Sequence, residues 1–177
     1  MNIDKVLVKR KFSLIISDML RLKPMAKLTI KEYRAEFENE ILAERYLERI
    51  IGRTIDVNYH SIAGLGNPPP KDYYESFVEM GELGIISIAL AEKMAKASGL
   101  RNRLAHEYNG IDEKKVFESI KICLEGFARI YASGKQLFKE SSALVPWLMS
   151  RESSLTVSVP EFTLINKGLK KWGLSLF

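Results

Sequence analysis

The sequence is poor in side chains that bind metals or cross-link a chain. Its 177 residues include one cysteine, Cys123, and two histidines, His60 and His106. A single cysteine cannot form a disulfide within the chain, and so few soft ligands cannot build a structural zinc site. There is also no Gly-rich phosphate loop and no plausible Ser-His-Asp arrangement. We therefore expect neither a metal nor a cofactor, and we interpret Cys123 as a small buried hydrophobic residue.

Long hydrophobic runs are absent as well. The longest near-candidate, residues 84–91, falls well short of the roughly 18 apolar residues that a membrane span needs. The first residues lack the charged, apolar and small-residue regions of an export signal. With 46% hydrophobic and 28% charged residues, the composition is that of a globular protein and excludes disorder. We expect a cytoplasmic protein of one domain with no membrane partner.

Positive charge is concentrated at the start of the sequence. Residues 1–31 contain 8 Lys and Arg against 2 Asp, whereas the remaining residues sum to a net charge of −1. A local positive field favours polyanions such as nucleic acid. A solvated helix face that only keeps the protein soluble explains the same charges equally well.

Apolar residues recur at helical intervals along most of the sequence, which predicts an all-α fold. Thr29 and Glu32 have the spacing of a capping box, which marks the start of a helix. The predicted helices are residues 4–22, residues 29–64 as one long helix that ends before three prolines, residues 72–80, a helix beginning near Ser87, and a last helix capped by Asp112. Residues 1–138 form a bundle in this prediction, and residues 139–177 form a short irregular C-terminal appendage.

The last predicted helix has an unusually wide apolar face. Two adjacent stripes follow helical spacing: Val116, Ile120, Cys123, Phe127, Ile130 and Leu137 in one, and Phe117, Leu124, Tyr131 and Phe138 in the other. Such a face is wider than one neighbouring helix needs. Either a partner chain or a second helix of the same chain would cover it.

One segment combines side chains with catalytic chemistry. Residues 101–108 read Arg-Asn-Arg-Leu-Ala-His-Glu-Tyr. A guanidinium can hold phosphate oxygens and offset charge in a transition state, while an imidazole can transfer a proton near neutral pH. RNA cleavage through the 2′-hydroxyl needs such a base and a positive charge, together with an acid that a two-fold dimer would supply. The alternative is structural: His106 caps its helix, Arg101 forms a surface ion pair and Tyr108 packs as a wedge.

The same segment resembles the Arg-x4-His-x-Tyr signature of the HepT toxins of the HEPN superfamily. The order of the helices across residues 1–138 is similar too. The resemblance implies an up-and-down helical bundle, a homodimer and a metal-independent endoribonuclease with a composite cleft. It implies that Arg101 and His106 are catalytic, that Asn102 supports them, and that an MntA-type nucleotidyltransferase antitoxin silences the toxin by AMPylation of Tyr108.

Two hypotheses of different classes follow from the sequence. The first is a HepT-like ribonuclease toxin that acts on RNA. The second is a catalytically inactive HEPN dimer that serves as a binding module or as a partner of a minimal nucleotidyltransferase. His60 matches no motif of the family, and we interpret it as a histidine whose ring has an ordinary structural partner.

Overall fold

The computed structural model describes residues 3–106 and 112–139, with side chains given as far as residue 133. The described residues form six α-helices and one short 3-10 helix and contain no β-strand. The helices are α1 (Lys5–Leu22), α2 (Ile30–Ala35), α3 (Phe37–Gly64), α4 (Tyr73–Glu82), α5 (Ile88–His106) and α6 (Glu113–Lys139), with the 3-10 turn at Met25–Lys27. The predicted all-α bundle is confirmed. None of these helices is long and apolar enough to cross a membrane.

Side chains at the helix starts explain where several helices begin. The Asp4 carboxylate accepts hydrogen bonds from the backbone N–H groups of Val6 and Leu7, which caps α1. The backbone N–H of Asp4 in turn donates to Nε2 of His60 on α3 at 2.8 Å. His60 thus has a structural partner, as the sequence analysis expected, and it fixes the start of α1 against α3.

Two further caps also follow from the sequence. Thr29 and Glu32 form the predicted capping box at α2, in which each side chain accepts a backbone N–H of the other residue. Asp112 caps α6 by accepting the backbone N–H groups of Lys114 and Lys115. Both predictions are confirmed.

The prediction of one continuous helix from residue 29 to residue 64 is wrong. At Glu36 the backbone is extended, with φ −121° and ψ 110°, and this residue separates α2 from α3. The break lets α2 bury Tyr33, whose ring lies 5.0 Å from the Phe117 ring of α6, while Phe37 on α3 stays 72% exposed. No glycine or proline marks this break, so packing of Tyr33 decides it.

The end of α3 and the loop after it need glycine for two different reasons. A Cβ on Gly64 would lie 2.6 Å from Cγ1 of Ile3, so a larger residue would push the N-terminal segment away. Gly66 has φ +88°, a conformation that side chains other than glycine rarely adopt. The predicted end of the long helix at Gly64 is confirmed.

The central helix of the bundle is α3, which contacts each of the other α-helices. Its buried apolar side chains form the middle of the core: Ala43, Leu47, Ile50, Ile51, Ile55, Val57 and Ile62. Ten of the 28 residues of α3 are buried, and the others leave surface that can form a site with the neighbouring helices.

The wide apolar face of α6 is covered by helices of the same chain. Phe117 contacts Tyr33, and Tyr131 packs edge-to-face on Phe12 of α1 with ring centres 5.3 Å apart. Cys123 is buried, and burial raises the pKa of its thiol to about 12, so it behaves as the predicted hydrophobic residue. For the described side chains, the explanation by a neighbour within the chain is therefore correct. The side chains of Leu137 and Phe138 lie outside the described ones.

The predicted appendage, residues 139–177, lies outside the described residues except for Lys139, where α6 ends. The same is true of Tyr108, the residue expected to be modified. The expected boundary between bundle and appendage remains a prediction.

Candidate active site

Arg101 lies half-buried on α5 with its guanidinium against an aromatic ring. Its Cζ atom is 5.0 Å from the centre of the Tyr73 ring, a distance at which a cation is attracted to the π face. No carboxylate in residues 3–106 or 112–133 forms an ion pair with Arg101; its polar neighbour is Oδ1 of Asn102, at 3.5 Å from Nη1. Within this described part of the chain, the surface ion pair of the structural alternative is not found. The guanidinium therefore rests on the ring, and among the described residues Asn102 is the one side chain that accepts a hydrogen bond from it.

The ring beneath Arg101 is itself fixed by its surroundings. Tyr73 is the first residue of α4, and Asp72 caps that helix by accepting the backbone N–H of Glu75 at 2.7 Å. The Tyr73 ring packs edge-to-face on Tyr59 of α3, with ring centres 6.4 Å apart. Loss of solvent contact, and then nearby negative groups, raise the pKa of Tyr59, so its phenol stays neutral. The Asp72 cap and the Tyr59–Tyr73 contact together fix the ring against which the Arg101 guanidinium lies.

Arg101 borders an open groove of about 300 Å³ between α3, α4 and α5. Its lining is Arg45, Glu48, Arg49, Gly52, Arg53, Ile55 and Asp56 of α3, Tyr73 of α4 and Arg101 of α5. Four arginines face only two carboxylates, so the groove favours anions. We name this space the basic groove.

A buried carboxylate lies behind the basic groove. Asp18 of α1 is 1% exposed and pairs with both Arg49, at 3.1 Å, and Arg53. Arg53 also donates to the backbone carbonyl of Leu14 at 3.4 Å. One carboxylate shared by two guanidinium groups fixes their positions and leaves an excess of positive charge at the groove.

His106 lies at the other end of the motif. It is the last residue of α5 and is exposed, and it does not line the basic groove. It lies five positions after Arg101 along the helix, which corresponds to a rotation of about 140°. Asn102 is exposed as well. Within one chain the structure therefore brings Arg101 into the groove and leaves His106 at its end of the helix, facing solvent.

Each of these side chains has chemistry suited to a phosphate ester, although one chain does not bring Arg101 and His106 together. A guanidinium with available donors can hold two phosphate oxygens, and an exposed imidazole can give or take a proton. Among the described residues, no group of three or more His, Cys, Asp or Glu side chains could hold a metal ion.

Comparison with known proteins decides the family. The family model described as "Ribonuclease HepT-like" matches residues 15–133. The chain is also 34% identical over 126 residues to a protein named tRNA nuclease HepT from Aphanizomenon flos-aquae, which covers 71% of this chain and 86% of the relative. The chain belongs to the HepT-like ribonuclease family. This confirms the resemblance that the motif suggested.

A second relative and several solved structures resemble this HepT-like chain. A putative RNase of Archaeoglobus fulgidus is 42% identical over 72 residues, which is 40% of the chain and 53% of the relative. A Shewanella oneidensis HEPN toxin, solved tri-AMPylated in complex with an MNT antitoxin, superposes with a TM-score of 0.66 at 20% identity and covers 73% of this chain and 97% of that one. A toxin-antitoxin structure with AMP-PNP gives a TM-score of 0.68 at 19% identity, covering 75% and 99%. These superpositions show that the HepT-like chain has the HEPN fold.

Sequence reasoning missed one part of the groove of this HepT-like chain. Arg45, Arg49 and Arg53 were not identified as candidate site residues, although they line the groove beside Arg101. The available signal was their spacing, because residues four apart lie on the same face of a helix. Tyr73 could not be found this way, since its role depends on the packing of α4 against α5.

Proposed function

We propose that the chain is the ribonuclease toxin of a toxin-antitoxin system, with Arg101 and His106 as catalytic residues and Asn102 as a supporting polar group. The proposal rests on the position of the Arg101 guanidinium, which lies over the Tyr73 ring and borders the basic groove. Membership in the HepT-like ribonuclease family supports it, as does the relative named tRNA nuclease.

The proposed reaction is transesterification of RNA without a metal ion. The imidazole of His106 removes the proton from a 2′-hydroxyl, and the 2′-oxygen attacks the neighbouring phosphorus. The bond to the 5′-oxygen breaks, this oxygen takes a proton, and a 2′,3′-cyclic phosphate remains. Arg101 binds the phosphate oxygens and stabilises the charge that grows on them in the transition state.

The reaction needs both a base and an acid, and each chain has one motif histidine. A two-fold homodimer would place a second His106 at the same cleft. Exposed apolar side chains near the groove support such contact: Phe37 is 72% and Ile41 49% exposed, and they precede the groove residue Arg45 by two turns and one turn of α3. We infer that this surface meets a second copy of the chain.

The dimer can be tested with two matched substitutions. Phe37→Asp should convert the dimer to a monomer in light scattering, because it places a charge in the proposed interface. Val6→Asp is the control, since Val6 is also in the first turn of a helix and is 69% exposed. A monomeric parent protein at micromolar concentration would contradict the homodimer.

We further propose that an MntA-type nucleotidyltransferase antitoxin silences the toxin in the cytoplasm by AMPylation of Tyr108. The attached phosphate would compete with RNA for Arg101, and the adenosine would fill the cleft. The Shewanella toxin, which is AMPylated in complex with its MNT antitoxin, supports this proposal. No cofactor is required for cleavage itself.

Modification is tested by co-expression with the cognate nucleotidyltransferase. Mass spectrometry should detect AMP on the peptide that contains Tyr108, and Tyr108→Phe should stay active in the presence of the antitoxin. Tyr74→Phe is the control, because Tyr74 is an exposed tyrosine outside the motif. AMP on another residue, or full silencing of Tyr108→Phe, would contradict the proposed site.

The central experiment is RNA cleavage by the purified protein in EDTA. His106→Ala should lower the rate by about 10²–10⁴-fold, because it removes the proton-transfer group. His60→Ala removes the other histidine, whose ring accepts the Asp4 N–H, and should cleave at the parent rate. The product should carry a 2′,3′-cyclic phosphate.

Three outcomes would contradict the catalytic proposal. They are loss of cleavage in EDTA, parent-like activity of His106→Ala, and absence of any cleavage by a folded dimer. The last result would favour the binding-module hypothesis.

A further inference from the structure

The basic groove contains a regular row of arginines on α3. Arg45, Arg49 and Arg53 are each four residues apart, so they lie along one face at intervals of about 6 Å. This interval is comparable to the separation of neighbouring phosphates along an extended nucleic-acid strand. We name these three residues the arginine row. A row of charges at this spacing fits a polyanion better than a single small anion.

The guanidinium groups of the row are held in place to different degrees. Asp18 anchors Arg49 and Arg53, whose side chains are 34% and 18% exposed. Arg45 is 63% exposed and pairs with Glu48 at 2.7 Å. The row therefore runs from a fixed, partly buried end to a solvent-exposed end. Fixed donors bind a ligand with a smaller loss of side-chain entropy.

The acidic residues of the groove do not cancel this charge. Asp56 pairs with Lys11 of α1 at 2.5 Å, so its charge is already offset. Asp18 is shared between two arginines, and Glu48 is the partner of Arg45 alone. Arg101 adds a fourth guanidinium to the groove. The net positive charge is accessible from solvent.

We propose that the arginine row is a binding site for the phosphates of a single RNA strand that flank the reacting phosphate at Arg101. This inference rests on the proposed function, since it assigns Arg101 to the reacting phosphate. In this arrangement the row binds and orients the strand, while Arg101 contacts the reacting group.

Gly52 provides the room that a strand would need. It lines the groove between Arg49 and Arg53, and a Cβ at this position would meet no atom within 4 Å. Its backbone is helical with no positive φ. Neither packing nor backbone conformation therefore requires glycine here, and a side chain added at this position would extend into the groove.

The first test changes charge in both directions. Binding of a fluorescent single-stranded 2′-O-methyl RNA, which lacks the 2′-hydroxyl needed for cleavage, is measured by anisotropy over a series of salt concentrations. Arg45→Gln should weaken binding about two- to fivefold and reduce the slope of log K against log salt by about 0.7, since one phosphate contact is lost. Glu48→Gln should strengthen binding, because it removes the carboxylate that competes for Arg45.

The controls are the same changes in an ion pair elsewhere. Lys93 on α5 and Glu125 on α6 are 3.9 Å apart, and neither lines the groove. Lys93→Gln and Glu125→Gln alter the net charge as the groove variants do, so they should change affinity much less. Arg49 and Arg53 are not substituted, because each loss would leave the buried Asp18 short of a partner.

The second test blocks the groove without changing charge. Gly52→Gln should weaken RNA binding at least as much as Arg45→Gln does. Gly99→Gln is the matched control, because Gly99 is also helical, has no atom within 4 Å of an added Cβ and does not line the groove. Both substitutions favour the helix, so loss of folding does not explain a difference.

The proposal is overturned if Arg45→Gln and Lys93→Gln bind the RNA probe with equal affinity, or if Gly52→Gln binds it as tightly as the parent protein does. It is also overturned if the parent protein binds the probe with no dependence on salt. Failure of the proposed ribonuclease function is a separate result, since it is measured as absence of cleavage of ordinary RNA and not as binding of the 2′-O-methyl strand.

Discussion

The two halves of α5 have different surroundings although they form one helix. The first half, residues 88–100, buries Leu90, Ala91, Met94, Ala95, Ala97, Ser98 and Leu100. In the second half, residues 101–106, every residue is half-buried or exposed. The first half is thus constrained by packing, and the second half carries the motif. The comparison teaches that stability and activity should be separable along a single helix.

The largest effect on stability is expected in the first half. Met94 is fully buried, and its Sδ lies so close to Gly126 of α6 that an added Cβ there would be 2.1 Å away. Met94→Ala should lower the free energy of unfolding by about 2–5 kcal/mol, because it leaves a cavity. Denaturant unfolding measures this, with the exposed Lys96→Ala as control. RNA cleavage per folded molecule should be unchanged.

The largest effect on activity is expected in the second half. Arg101→Ala should reduce the rate of RNA cleavage by about 10²–10³-fold, since the positive charge at the phosphate is lost. Arg103→Ala is the control, because Arg103 is exposed and does not line the groove. Arg103→Ala should unfold at the denaturant concentration of the parent, and Arg101→Ala should lose no more than about 1 kcal/mol, the energy of its contact with Tyr73. Equal loss of activity in the two variants would mean that Arg101 has no special role.

A smaller effect is expected where α4 meets the first half of α5. A Cβ on Gly81 would lie 2.7 Å from the Cβ of Ala91, so the two helices would have to move apart. Gly81→Ala should destabilise the protein by about 1–3 kcal/mol. Gly99→Ala, where the added Cβ meets nothing within 4 Å, should instead stabilise it by about 0.5–1 kcal/mol. Thermal unfolding of both variants checks the sign of each change.

The smallest effect is expected from a change at Tyr73, the α4 residue whose ring lies beneath Arg101. Tyr73→Leu removes the ring beneath Arg101 and should lower kcat by about two- to fivefold, in line with a cation–π energy of about 0.5–1 kcal/mol. Tyr73→Phe keeps the ring and should cleave at the parent rate. If Tyr73→Phe loses as much activity as Tyr73→Leu, then the phenol and not the ring face supports Arg101.

Several features could be predicted because they depend on nearby residues. The caps at Thr29 and Asp112 bind backbone groups within three residues, so their spacing identifies them. The helix end at Gly64 is followed within a few residues by Gly66 and by three prolines, Pro68 to Pro70. The Arg101–His106 motif is likewise a local pattern, and its resemblance to the HepT family was visible without any structure.

Other features depend on residues that are far apart in the sequence. The break at Glu36 follows from the packing of Tyr33 on Phe117, which lies in another helix. The arginine row had a visible spacing, yet the same spacing is found in ordinary solvated helix faces. Only the buried carboxylate of Asp18, on a different helix, distinguishes it.

The sequence by itself determined most of the helices and their ends, apart from the break at Glu36, and the family of this protein, because periodicity, caps and motifs act over a few residues. The tertiary structure decided which charges share a groove. Arg101 meets Tyr73 and the arginine row only because α3, α4 and α5 pack together, and Arg49 and Arg53 are fixed only because α1 buries Asp18 against α3. Such contacts depend on how the hydrophobic faces of whole helices fit, which no short segment specifies.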